Sequence, residues 1–183
     1  MPGMPIKCAG APQKAMYLSC DHWQKTGRLS GMNVSFCNAG PVLFGCATYV
    51  PPLMKYVDKY GINLDFGHNL TKIDGASKTA WFKVTKEGEE PQMIERKFDM
   101  IHVCPPQCAP DFISKSPLAN AGGWVDVDQE TLQHTGFPNV FSLGDVASTP
   151  NAKTAAAARK QAPSVAQNVK AFMAGRELKP LYD

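Results

Sequence analysis

Apolar residues recur at helical spacing at Ala11, Ala15 and Leu18, with Gly27 behind them, and this predicts a first helix over 12–26. Val34 and Phe36 then alternate with polar neighbours inside Met32–Cys37, the period of a short strand, which the loop Asn38-Ala39-Gly40-Pro41 ends. Val50, Leu53, Met54 and Val57 share one face of a second helix stopped by Gly61. Ile62, Leu64 and Phe66 alternate again as a strand. Residues 70–74, 79–85 and 92–97 read as a meander turning at Asp74-Gly75 and Glu87-Gly88. Met100, Ile101 and Val103 predict a buried strand that ends at Pro105-Pro106.

Strand, helix, strand, meander and closing strand is the order of a nucleotide-binding α/β half whose first strand, the one entering the Cys8 loop, would precede Met1. From 105 to 128 the chain is rich in loop residues, with Pro106, Pro110, Pro117 and Gly122-Gly123, and a domain boundary is expected there. Asn139–Leu143 predicts a buried strand running into Gly144-Asp145. A last helix is capped by Asn151 or Thr149, presents Ala158, Ala162, Val165, Val169 and Phe172 to a core, and is kinked by Pro163.

Composition narrows the functional classes. With 44% apolar residues and 15 glycines and 15 prolines in 183 residues, the chain is neither disordered nor collagen-like. A net charge of +3 without a basic cluster leaves no electrostatic footprint for nucleic acid. No apolar run reaches the roughly 18 residues of a spanning helix, and Met1–Pro5 lacks the charged head and apolar core of a signal peptide. Six irregularly spaced cysteines are expected to be reduced thiols, Cys37 and Cys46 among them as small core residues.

Gly144-Asp145 is the most informative chemistry. A strand ending in Gly-Asp lets backbone approach a ligand closely, and the carboxylate accepts hydrogen bonds from polyol hydroxyls. The helix beginning near Lys153-Thr154 points free N–H groups and a positive dipole end at the same place, a setting suited to a reduced flavin ring; the plain reading is an Asp that caps a helix. Cys8 lies beside Lys7 and ahead of a helix N-terminus, which favours thiolate chemistry. Only Gly10 represents the glycines of a dinucleotide loop there, and Cys37-Asn38 supplies no carboxylate for a ribose. His102, Cys104 and Cys108 have the spacing of half a zinc site but lack a convincing second pair, so no metal is expected. No Gly-x-Ser-x-Gly elbow exists, which removes a hydrolase of that type.

The runs Pro5-Ile6-Lys7-Cys8-Ala9-Gly10-Ala11-Pro12-Gln13-Lys14, Gly123-Trp124-Val125-Asp126-Val127-Asp128, Thr131-Leu132-Gln133-His134, Gly144-Asp145 and Lys153-Thr154-Ala155-Ala156-Ala157 together resemble the sulfide:quinone oxidoreductases, in the branch that includes the mitochondrial enzyme. The resemblance implies a Rossmann-like α/β flavoprotein of two dinucleotide-binding domains. Residues 1–104 would form most of an NAD(P)-like domain lacking its first strand, and 105–183 the C-terminal part of an FAD-binding domain. It implies oxidation of sulfide at a cysteine pair, passage of electrons through FAD to a quinone, and peripheral docking of the full-length protein on an energy-transducing membrane. Cys8 matches one redox cysteine; Gly144 and Asp145 match the FAD-contacting turn, and Lys153 and Thr154 the helix start beside the flavin.

The chain departs from the family in lacking the amino-terminal Gly-x-Gly-x-x-Gly half and the docking tail, and so reads as an internal fragment. It also has Val146 where the mitochondrial-type enzymes carry their second redox cysteine. Two alternatives stand beside this reading: an NADH:quinone oxidoreductase-like flavoprotein, which needs no cysteine pair, and a noncatalytic α/β binding domain.

Overall fold

Gly10–Lys25 forms α1 in the computed structural model, which describes residues 1–3 and 6–182; Pro5 of the resembling run lies outside them. Its Pro12, Gln13 and Cys20 are buried. Strand β1 (Ser35–Asn38) then pairs in parallel with β2 (Asn63–Phe66), Phe36 opposite Leu64, across the connecting helix α2 (Val50–Tyr60). Parallel pairing demands such a crossover, because a tight turn only reverses the chain. The expected apolar face of α2 is the one buried. Gly61 ends the helix in the left-handed conformation (φ +61°), its N–H donating to Asp58 O and that of Ile62 to Val57 O. Cys20, Phe36, Leu43, Val57, Tyr60 and Ile62 form the core between these elements.

The meander follows as β3 (His68–Asp74), β4 (Thr79–Val84) and β5 (Gln92–Lys97), an antiparallel sheet in that order with a register shift between Leu70 and Lys72. Ala80, Phe82 and Val84 alternate into its buried face. The expected strand at 100–103 does not form. Among the described residues, 100–109 make no backbone hydrogen bond and Met100 is 68% exposed, because the apolar pattern there has no neighbouring strand to pair with.

Contacts divide the chain into two compact units, Met1–Pro106 and Gln107–Asp183. The second carries a short α3 (Asp111–Ser114), a set of single β-bridges, a 3-10 turn at Gly144–Val146 and the long α4 (Ala155–Met173). Ala109, Ile113, Val125, Val127, Leu132 and Ala147 make its core. Instead of the expected strand over 139–143, only Phe141 bridges, to Gln133. Helix α4 runs through Pro163 without a break and is capped by Thr154, not by Asn151 or Thr149. Its buried face also differs from the expected one: Ala162 and Phe172 are exposed, while Gln161, Ser164 and Asn168 are buried.

Each of those polar residues has partners. Ser164 Oγ donates to Leu181 O at 3.0 Å, and Asn168 Nδ2 to Thr131 O and Lys179 O at 2.9 Å each. Hydrogen bonding of this kind removes most of the penalty for burying polar atoms, so α4 is held by backbone recognition as much as by apolar contact.

Candidate functional site

Gly144 enters the second unit's site with φ +71°, a left-handed turn that a side chain strains, and sets Asp145 half-buried at the head of the 3-10 turn. Its N–H donates to Gln161 Oε1 at 2.7 Å. Gln161 is fully buried on α4, and its amide nitrogen donates to Thr149 Oγ1 at 3.3 Å and Asn151 Oδ1 at 3.4 Å. One side chain therefore fixes both ends of the loop between the Gly-Asp turn and the helix.

Lys153, immediately before the cap, is only 8% exposed. Its ammonium donates to Ala147 O and lies 4.4 Å from the centre of the Trp124 ring, where the π face attracts a cation. Burial pushes this amine below the ordinary lysine range, and the nearby Asp145 carboxylate works in the opposite direction. Thr154 Oγ1 accepts the Ala157 N–H at 3.1 Å, while Ala155 and Ala156 stand in the first turn, whose N–H groups have no intrahelical acceptor. The unit thus brings Gly144, Asp145, Lys153 and Thr154 together as one carboxylate, one buried cation and a helix N-terminus.

Gln161 and Trp124 belong to this arrangement and do not stand out in the sequence as site residues. The available signal is the spacing of Ala158, Gln161 and Val165, which puts a polar residue on an otherwise apolar stripe. Val146 follows Asp145 directly and packs against the unit's apolar core.

Cys8 stands in the first unit, in the loop that leads into α1. It is half-buried and holds φ +52°, uncommon for a residue with a side chain, while its carbonyl accepts the Ala11 N–H at 2.8 Å. Among the other thiols, Cys20 is fully buried. Cys46 is exposed and not a core residue, because it lies in a loop with nothing packed over it. Cys37 is half-buried beside the Arg96–Asp65 ion pair, and burial pushes its thiol upward. Among the described residues no cluster of three His, Cys, Asp or Glu side chains is placed to hold a metal, and no helix is long and apolar enough to cross a membrane.

No family model matches the chain. Among curated proteins it is 41% identical over 160 residues to the mouse mitochondrial sulfide:quinone oxidoreductase, covering 87% of this chain and 35% of that one. It is also 41% identical to the Dictyostelium discoideum mitochondrial sulfide:quinone oxidoreductase, over 100% of this chain and 40% of that protein. Among solved structures, the sulfide:quinone oxidoreductase of Aquifex aeolicus superposes with a TM-score of 0.74 at 18% identity, over 96% of this chain and 43% of that one. That likeness establishes the Rossmann-like fold. The chain spans between 35% and 40% of the length of these curated relatives.

Proposed function

This chain belongs to the sulfide:quinone oxidoreductase family, and from that membership we propose that it serves a flavoprotein in which Cys8 takes up sulfide sulfur and the Gly144–Thr154 junction holds FAD. The observation that carries the proposal is that junction, built from buried and hydrogen-bonded side chains in a chain 41% identical to the mouse protein.

The residues present fit the cofactor. Gly144 gives close backbone approach, and the Asp145 carboxylate accepts from ribityl hydroxyls. Lys153 and the first turn of α4 supply positive potential for the electron-rich edge of the isoalloxazine. FAD, when bound, supplies a two-electron acceptor that hands its electrons on to a quinone. In this reading Cys8 supplies the thiol: a sulfur–sulfur bond forms between it and hydrogen sulfide as one S–H bond of each breaks, two electrons leave for the quinone, and the two protons leave to solvent. With Val146 after Asp145, no thiol at that position resolves the Cys8 persulfide, and an external thiol or sulfite carries the sulfane sulfur away. The full-length protein would work against the surface of an energy-transducing membrane, where its quinone resides.

The test is a chimaera in which this chain replaces the matching segment of the mouse relative. Bound flavin that sulfide reduces and quinone reoxidises is expected, with Cys8→Ser abolishing reduction by sulfide while flavin occupancy stays the same. Reduction by NADH and not by sulfide would establish the NADH:quinone alternative. A folded chimaera without flavin would leave a noncatalytic domain.

A further inference from the structure

Residues 124–125 and 146–148 run side by side in the second unit. Val125 N–H donates to Val146 O at 2.9 Å and Val125 O accepts the Ser148 N–H at 3.0 Å, a parallel bridge opposite Ala147. That pairing carries Trp124 alongside the Gly144–Ala147 turn, and Lys153 joins the two. It is 8% exposed, its ammonium donates to Ala147 O, and it lies 4.4 Å from the centre of the indole. A side chain so buried acts on a molecule at the junction through its charge.

The indole is itself held. Asn120 N–H donates to Trp124 O at 2.8 Å, and Trp124 N–H donates to Asn120 Oδ1 at 3.2 Å. A Cβ on Gly122 would stand 3.3 Å from indole Cδ1 and 3.6 Å from Nε1, so the ring edge lies against the Gly122 backbone. Trp124 also packs against the core that includes Val125 and Ala147. Burial disfavours the charged form of Lys153, and the Asp145 carboxylate and the π face both favour it. Leucine in place of the indole supplies no such attraction, whereas a phenyl ring retains part of it.

We propose that Trp124 is a positioning residue for the junction: its indole holds the Lys153 ammonium against Ala147 O and favours its charged form, which makes loop 120–124 a working part of the cofactor site. The cofactor half of this rests on the flavin reading of the junction. A fixed positive charge there favours the reduced, more electron-rich flavin, and Trp124 acts on the flavin only through Lys153.

Two measurements test the proposal, the first on the 183-residue chain without flavin. Amine-reactive labelling of Lys153 across pH, resolved by mass spectrometry with the exposed Lys160 and Lys170 as internal references, is compared in wild type, Trp124→Phe and Trp124→Leu. Leucine is expected to lower the midpoint of the Lys153 profile by about 0.5–1.5 pH units, and phenylalanine by less. Simple loosening of the structure raises the rate at every pH and leaves the midpoint in place, so an unmoved midpoint with leucine would overturn the proposal. The second measurement reads the flavin midpoint potential of the chimaera with the mouse relative. Trp124→Leu and Lys153→Met are each expected to make it more negative, Trp124→Phe to stay closer to wild type, and the double variant to match Lys153→Met alone. No shift in Trp124→Leu, or additive shifts in the double variant, would overturn the proposal, because Trp124 would then not work through Lys153. A wild-type chimaera that holds no flavin would sink the cofactor reading and this proposal with it, an outcome told apart from the others because it needs no substitution.

Discussion

Gly67 and Gly88 separate two costs that a glycine can hide. Both hold positive φ, +69° and +75°, but a Cβ on Gly67 would stand 2.3 Å from Thr85 O whereas one on Gly88 meets open space. Gly67→Ala is expected to destabilise the first unit by about 3 kcal/mol or more, and Gly88→Ala by only the ~1–2 kcal/mol of left-handed strain. Urea midpoints of the two variants measure the difference, and equal shifts would mean that the Gly67 backbone moves away at little cost. Val146 carries a chemical prediction of the same resolution. In the chimaera, turnover should require added thiol or sulfite, and Val146→Cys should lessen that requirement by placing a resolving thiol after Asp145; sulfide oxidation without an acceptor in the unaltered chimaera would refute it. Such residues differ in how far sequence reveals them. The Gly144-Asp145 turn and the helix after it are visible because a positive-φ turn and an N-terminus have compositional signatures. Gln161 is not, since periodicity assigns a buried helix face to apolar residues and is silent on which polar side chain will find three partners inside.

Helix α4 and strand β5 are each tied down by a polar contact at a definite point, and each tie has a measurable value. Thr154→Ala removes the acceptor for the Ala157 N–H and is expected to cost about 0.5–2 kcal/mol, read as a lowered urea midpoint of the second unit with no change in the first. In the first unit Arg96 on β5 donates to Asp65 on β2 at 2.6 Å, and that hydrogen bond holds the Asp65 carboxyl below the usual aspartate range. A depressed folded-state value means stability that is present above the unfolded aspartate pKa of about 3.9 and lost as pH falls through the lower, folded one. Wild type should therefore exceed Asp65→Asn in stability at pH 7, and the gap should close only below about pH 4; a gap constant down to pH 2 would assign the loss to packing. The element pattern was legible where each segment carries its own stop and start: α2 with its apolar face and Gly61, and the meander with its turns. It failed at 100–103, where the apolar run has no strand to pair with among the described residues and remains a loop. At 139–143 the partner is present, but only the single bridge of Phe141 to Gln133 forms, too short to count as a strand.

Flavin affinity is a property of the complete set of contacts, and on the proposed reading the 183 residues would contribute a countable part of it. A charged hydrogen bond at Asp145 is worth about 1.5–3 kcal/mol. The α4 terminus adds roughly 0.3–1 kcal/mol for a facing negative charge. Their sum, about 2–4 kcal/mol, corresponds to binding at about millimolar concentration or weaker, against the ~12 kcal/mol of a nanomolar cofactor. The relatives are more than twice as long, so most of their length has no counterpart here to add to that sum. Leu18, Phe112 and Met173, at 69%, 75% and 80% exposed, further make the chain adhesive by itself. The 183-residue chain is accordingly expected to leave gel filtration without flavin, whereas the chimaera retains it and Asp145→Ala in the chimaera weakens retention about 10- to 150-fold. Absorbance near 450 nm relative to protein measures both. Stoichiometric flavin on the isolated chain would show that the Gly144–Thr154 junction binds far more of the cofactor than its visible donors and acceptor explain, and equal retention by wild-type and Asp145→Ala chimaeras would remove Asp145 from the site.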